Sequence, residues 1–281
     1  MQKIETMISP GLFNRLKVAK LLEFGAYLTD GRDEVLIPAK FLPAEVKEGD
    51  SLRVFVYHDN EGRLIATTQI PYACVDQVAT LKVVANGAAG GFLDWGLDKD
   101  LLVPNSEQRV RLSIGQKAVV WIYIDDKSGR IVASTKLNKY IKDQGSSYSA
   151  GDEVEIVVAE ITSLGYKVVV DNEFWGLLYK NEVFKTIAIG DRIDAFIKEV
   201  RPDGKIDVTL RAPQVNEVED LGSKILSRLT ENGGTLPFGD KTEAEVIYKE
   251  FGVSKKVFKR TLGMLYKDDK IILSDEKISL K

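Results

Sequence analysis

Along this chain, apolar and polar positions alternate in short runs separated by glycine. Between Asp50 and Tyr57, Leu52, Val54 and Val56 alternate with Arg53 and the aromatics Phe55 and Tyr57. The segments Val119 to Ile124 and Ile193 to Ile197 behave alike. A period of two with β-branched and aromatic residues predicts strands. Each run enters a short loop (Asp-Asn-Glu-Gly, Asp-Asp-Lys-Ser-Gly or Pro-Asp-Gly) and then another strand. That is a hairpin whose turn residues suit positive backbone dihedrals. Upstream, Lys17 to Tyr27 and Glu153 to Val170 each supply two further strands, broken at Gly25 and Gly165.

The pattern occurs three times. Leu36-Ile37-Pro38 is followed eleven residues later by Gly49, then by Gly62 and the strand GRLIATT. Leu102-Val103-Pro104 leads at the same spacing to Gly115, then Gly129 and GRIVAST. Leu177-Leu178-Tyr179 leads to Gly190, Gly204 and GKIDVTL. Ahead of each stands a glycine opening an alternating run: GAYL from Gly25, GGFL from Gly90 and GYKV from Gly165. Five short strands in about 65–75 residues fit a small closed barrel of the OB type, which leaves no sheet edge exposed.

The final segment changes period. From Leu221, the residues Ile225, Leu226 and Leu229 share a helical face that stops at Gly233-Gly234. Thr242 with Glu245 reads as a capping box for a second helix that buries Val246, Ile247 and Phe251. Ser254 reads as the cap of a third, with Phe258, Leu262 and Leu265 inward, and a hairpin over Ile271 to Leu280 follows. The expected fold is mainly β and multidomain: three tandem OB-type five-stranded barrels at 1–71, 72–145 and 146–213, then an α+β winged helix-turn-helix domain at 218–281. Ile70-Pro71-Tyr72, the polar linker from Asp143 to Asp152, and the stretch from Ala212 to Asp220 mark the boundaries.

Composition narrows the function. In 281 residues there are 39 Lys+Arg, 42 Asp+Glu, one His and one Cys, with 44% apolar content. The apolar share argues against wholesale disorder. No apolar stretch approaches the ~20 residues of a membrane span. The start, MQKIETMI, reads as no secretion signal, so a cytoplasmic protein without membrane contact is expected. Cys74 cannot by itself make an internal disulfide or a structural zinc site, and reads as a buried small hydrophobe. His58 beside a hairpin loop reads as a solvated side chain. No Gly-rich phosphate loop, metal-ligand cluster or nucleophile–base pair is recognisable, so neither catalysis nor a cofactor nor a metal is expected. Asp125-Asp126 and Asp268-Asp269 belong to turns.

The stretches VAKLLEFGAYL, GFLDWGLDKDLLVP and GYKVVV with WGLLYKNEVF and GKIDVTLR resemble the RNA-binding repeat first described in ribosomal protein S-one. The C-terminal run DKTEAEVIYKEFGVSKKVFKRTLGMLYKDDKIIL resembles the winged helix of the conserved virulence factor B (CvfB) family. That resemblance implies three barrels before one winged helix, and a bacterial RNA-binding regulator of gene expression. It also implies binding positions. Tyr27 and Phe92 stand where the repeat has an aromatic after the glycine; the third unit has Lys167 there, with Tyr166 beside it. Pro38, Pro104 and Tyr179 occupy the usual histidine position, so the first two barrels are expected to bind weakly or to serve mainly as scaffold. Lys136 and Arg211 match a basic residue after the last strand, where the first unit has Gln69.

An OB barrel holds single strands by stacking bases on aromatics while Lys and Arg follow the phosphates. A net charge of −3 gives no global attraction to nucleic acid, so local charge has to act. By formal count, residues 1–71 carry −1, 72–145 carry +2, 146–215 carry −4 and 216–281 carry zero. The middle barrel has the run Lys127, Arg130, Lys136, Lys139 and Lys142. The third helix of the last domain has Lys255, Lys256, Lys259 and Arg260 opposite its apolar side. Tyr27, Phe92 and Tyr179 read equally as ligand contacts or as core and interface. Trp95 and Trp175 read as packing residues and Trp121 as structural. Single-stranded RNA is the expected partner, with duplex nucleic acid as a second class through the winged helix. A DNA-binding transcription regulator and a protein-binding scaffold are the alternative functions.

Overall fold

A computed structural model describes residues 8–145, 147–183, 186–211, 217–239 and 241–281. Of the boundary expected at 212–220, residues 212–216 lie outside them, as does the start at 1–7, and residues 217–220 already belong to the first helix rather than to a linker. The chain divides into two compact units, residues 1–210 and 211–281.

The first unit holds three five-stranded modules of one topology. In the first, β1 (Phe13–Leu22), β2 (Gly25–Thr29), β3 (Glu34–Pro38), β4 (Ser51–His58) and β5 (Leu64–Thr67) close in the order β1-β2-β3-β5-β4. The second comprises β6 (Val78–Asn86), β7 (Gly90–Leu93), β8 (Leu101–Pro104), β9 (Lys117–Ile124) and β10 (Ile131–Ser134). Its order is the same, except that β8 and β10 lie side by side without a ladder between them. The third, β11 (Glu153–Ile161), β12 (Gly165–Val170), β13 (Phe174–Tyr179), β14 (Arg192–Val200) and β15 (Ile206–Thr209), closes again. The three-barrel expectation holds. Each long first strand carries a bulge, between Val18 and Lys20, Val83 and Ala85, and Val158 and Glu160. Such a bulge bends the strand so that it serves both halves of a small barrel.

The repeated glycines have a steric cause. Gly25, Gly90 and Gly165 have φ of 155°, 156° and 156°. A Cβ there would stand 2.2, 2.0 and 2.2 Å from the carbonyl oxygens of Ile37, Val103 and Leu178. Two strands meet backbone to backbone at this point, and a side chain has no room.

The modules are packed together. Val54, Phe55, Val56 and Tyr57 are all buried, although successive residues of a strand point to opposite faces. Val54 and Val56 fill the first barrel. Phe55 and Tyr57 join Trp95 and the core of the second module, with Phe55 edge-on to Trp95 at 5.4 Å. In β9, Val119 and Trp121 likewise cover Val157, Val169 and Trp175 of the third barrel. Polar contacts fix this second junction: Val78 N–H donates to Asn172 Oδ1 at 2.8 Å, Thr80 Oγ1 to the Gly190 carbonyl at 2.8 Å, and Arg192 to the Val78 carbonyl at 2.8 Å. The three tryptophans are packing residues, as expected.

The second unit runs α1 (Glu217–Glu231), β16 (Thr235–Leu236), α2 (Ala244–Phe251), α3 (Lys255–Lys267), β17 (Ile271–Leu273) and β18 (Ile278–Leu280), with sheet order β16-β18-β17. This is a winged helix. Ile225, Leu229, Ile247, Phe258, Leu262, Leu265 and Ile278 form its core. Ser254 caps α3, its hydroxyl accepting from Val257 N–H at 3.3 Å. Two details differ from expectation. Thr242 does not cap α2: its Oγ1 accepts from Gly239 N–H at 2.7 Å, and Glu243 takes the cap position without a side-chain bond. Val246 faces solvent, whereas Ile247 and Phe251 are buried as expected: those two share one helical face, and Val246, one position earlier, lies off it. The short β16, which pairs with β18, is an element that the apolar pattern does not announce.

Two stability effects follow. Gly90→Ala forces a Cβ into the Val103 carbonyl at a dihedral that L residues avoid, so it should cost about 2 kcal/mol or more in urea unfolding. Gly263 lies inside α3 with nothing beyond its own helix backbone and chain neighbours within 4 Å of where its Cβ would be. Gly263→Ala should therefore stabilise the helical transition, followed by far-UV ellipticity, by about 1 kcal/mol.

Candidate nucleic-acid interface

The outward positions of the strand after each glycine form a comparable face in all three barrels. Tyr27 pairs across to Leu36, Phe92 to Leu102 and Lys167 to Leu177. Their neighbours Ala26, Leu28, Leu93 and Val168 point into the barrels and are sealed. Tyr27, Phe92, Lys167 and Tyr179 are half-buried, so none is lost to the core. The faces then diverge.

In the first barrel a second aromatic joins Tyr27. Phe24, at the tip of the β1–β2 hairpin, is 60% exposed. Its position immediately before the glycine is visible in the run LLEFGAYL, where the corresponding residues of the other units are Ala89 and Leu164. The first barrel thus leaves an apolar ring in water three residues before a half-buried tyrosine, whereas the aromatics expected on the other two faces are all half-buried.

In the third barrel the expected residues are committed to the protein itself. The Lys167 ammonium sits 3.8 Å from the centre of the Trp175 ring and donates to Asn138 of the second module at 3.1 Å. Tyr166 pairs opposite the sealed Leu178 and packs on the barrel core. The Tyr179 hydroxyl donates to Asp207 Oδ2 at 3.2 Å and accepts from Arg201 at 2.8 Å. Arg201 also holds Asp207 through both carboxylate oxygens, at 2.6 and 3.0 Å. Asp207 is buried, and stripping it of partners would leave a desolvated charge, worth about 3–5 kcal/mol. This network does not open cheaply.

The basic run of the middle module is partly spent. Lys139 pairs with Glu107 and Lys142 with Glu173, both at 2.6 Å, and Lys136 donates to the Ser106 carbonyl at 2.6 Å. The Lys142–Glu173 pair is exposed on both sides and contributes about 0–1 kcal/mol, so a phosphate can replace its carboxylate at small cost. Glu107 is only 14% exposed, so Lys139 is held more firmly. Lys127 and Arg130 are exposed and make no ion pair among the described residues. Arg211 is exposed. On α3, Lys256, Lys259 and Arg260 are exposed and Lys255 half-exposed, with Lys267 and Tyr266 extending the same side.

His58 departs from expectation. It is half-buried, and its Nδ1 is sealed without a hydrogen-bond partner among the described residues. Loss of water, then the positive charges of Lys99 and Arg130, hold its pKa below the ordinary imidazole value of 6.5, against a smaller upward pull from Asp59. Among the described residues, no group of three or more His, Cys, Asp or Glu is arranged to hold a metal ion, and no helix is long and apolar enough to cross a membrane.

The single imidazole gives an unambiguous NMR titration. Its midpoint should fall below 6.5, and Arg130→Ala should raise it by removing one of the two cations. Because folding disfavours the charged ring, its contribution to stability is complete above the ordinary imidazole range. That contribution declines as pH drops through the lowered value. A midpoint at or above the ordinary value would contradict this environment.

Residues 10–69 and 77–136 match the family model of the S1 domain, and residues 223–280 that of the CvfB-like winged helix domain. The chain is 27% identical over 270 residues to uncharacterized protein YitL of Bacillus subtilis, covering 93% of this chain and 90% of that one. It is 24% identical over 243 residues to conserved virulence factor B of Staphylococcus aureus, covering 84% and 81%. Among solved structures, a multidomain protein with nucleic acid binding domains from Streptococcus pneumoniae is 21% identical. That match covers 97% of this chain and 98% of the other, with a TM-score of 0.41. The chain thus joins S1 domains to a CvfB-like winged helix domain, and most of its length is similar to conserved virulence factor B.

Proposed function

We propose that this protein is a non-catalytic binder of single-stranded RNA that acts as a post-transcriptional regulator of gene expression. The observation that carries the reading is the exposed ring of Phe24 at the tip of the β1–β2 hairpin, three residues before the half-buried Tyr27 in the same S1 domain. Flat rings facing solvent give any base a stacking surface worth about 1–3 kcal/mol, and this requires no overall positive charge. Lys127, Arg130 and the exchangeable Lys142 of the middle module, with the basic side of α3, supply phosphate contacts. The first barrel is thus a principal binding module in this reading, and Phe24 compensates for the proline at position 38.

The basic side of α3 also supports contact with duplex nucleic acid. Its exposed residues include Lys and Arg but neither Asn nor Gln, a set suited to phosphates more than to reading adenine. Duplex competition against a single-stranded RNA separates the two partner classes.

The test is fluorescence polarisation with a labelled 12-nucleotide oligouridylate. Binding should weaken as salt rises. Phe24→Ala with Tyr27→Ala, both outside the sealed core, should lower affinity about 10- to 100-fold through lost stacking. No binding by the intact chain, or a double variant that binds as tightly as the parent, would reject the reading.

A further inference from the structure

The junction of the first two modules encloses a cleft that the outer faces alone do not predict. It measures 270 Å³, at the small end of ligand-sized sites. One wall comes from the end of β4 and the following turn, with His58 and Asn60; the other comes from the second module, with Phe92, Lys99, Asp100 and Arg130. Trp95 and Leu102 complete its apolar part.

Its polar groups have capacity left over. Lys99 reaches across the junction and donates to the carbonyls of His58 and Asp59, at 2.8 and 2.7 Å. An ammonium has three hydrogens, so these two bonds leave one. The Arg130 guanidinium also crosses the junction: it lies 2.9 Å from where a Cβ on Gly62 would stand. It makes no ion pair among the described residues. Two cations on one small cleft repel each other, and each stabilises a bound anion. Beside them Phe92 is half-buried, with one edge covered near Gly87. Asp100 and Asn60 offer acceptors to the N–H groups that every base carries on its pairing edge.

A ligand that satisfies this combination has a flat ring, an edge with hydrogen-bond donors, and an anion next to it. We propose that the cleft holds a single nucleotide of the bound RNA strand, its base against Phe92 and its phosphate between Lys99 and Arg130. The first two modules then read RNA as one unit, and the strand passing Tyr27 continues across the junction. This rests on the RNA-binding reading above and adds a site built from two modules, with His58 on its wall.

The lone histidine reports on the site in the full chain. Its imidazole signals are followed by NMR during titration with uridine 5′-monophosphate, inorganic phosphate and the 12-nucleotide oligouridylate, in the parent and in Arg130→Ala. The mononucleotide and the oligonucleotide should move the His58 signals in the same direction and saturably, and inorganic phosphate should do so only at much higher concentration. Arg130→Ala should abolish the mononucleotide response and weaken the oligonucleotide at least fivefold. If the oligonucleotide binds while His58 stays still, or binds Arg130→Ala as tightly as the parent, the cleft is overturned and the RNA-binding reading stands. If phosphate and mononucleotide act at equal concentration, the stacked base is overturned. If the oligonucleotide does not bind the parent at all, both fall.

Discussion

Everything in the first unit depends on aromatic side chains buried where one barrel meets the next. Phe55 and Tyr57 leave the outside of β4 to meet Trp95, and Trp121 and Val119 leave the outside of β9 to cover Trp175. Burying one such side chain is worth about 1.5–3 kcal/mol, more than an exposed ion pair contributes. Small barrels bury a modest share of their surface, and these junctions add what each lacks alone. They also decide which outer faces remain free for a ligand.

That allocation explains the unequal fates of three similar modules. The first barrel gives its β4 side to the junction and keeps the β1–β2 hairpin, with Phe24 and Tyr27, in solvent. The third barrel gives up Trp175, and with it Lys167, whose ammonium is drawn over the ring and onto Asn138. Its Tyr179 is then held by a buried Asp207 and Arg201. One repeat pattern yields a platform in one place and a strut in another. The difference lies in which neighbour covers it.

Electrostatics follows the same division. A chain of net charge −3 attracts phosphate only where cations lack strong partners of their own. Arg201 has such a partner, buried and held through both oxygens. Lys142 has a weak, exposed one, Lys139 a carboxylate that is mostly buried, and Arg130 has none among the described residues. The tally of basic residues by segment singles out the middle module, but it cannot distinguish these conditions.

Local sequence was sufficient for whatever depends on neighbouring backbone. The glycines at 25, 90 and 165, the alternating strands, the Ser254 cap and the basic side of α3 all follow from periods and turn sterics that act within a few residues. Phe24 was not among the expected site residues, although it stands one position ahead of the glycine; its exposure belongs to the folded hairpin. The cap of α2 was misread because Gly239 competes for the Thr242 hydroxyl, and that contact belongs to the folded loop. What tertiary structure alone decided is coverage. Whether the outer ring of a strand stacks a base or seals a junction depends on contacts such as Val78 with Asn172, 94 positions apart. The meeting of His58, Phe92 and Arg130 around one cleft likewise has no signature in any single stretch of chain. Strand periodicity tells which way a side chain points, and only the packing of whole modules tells what it meets there.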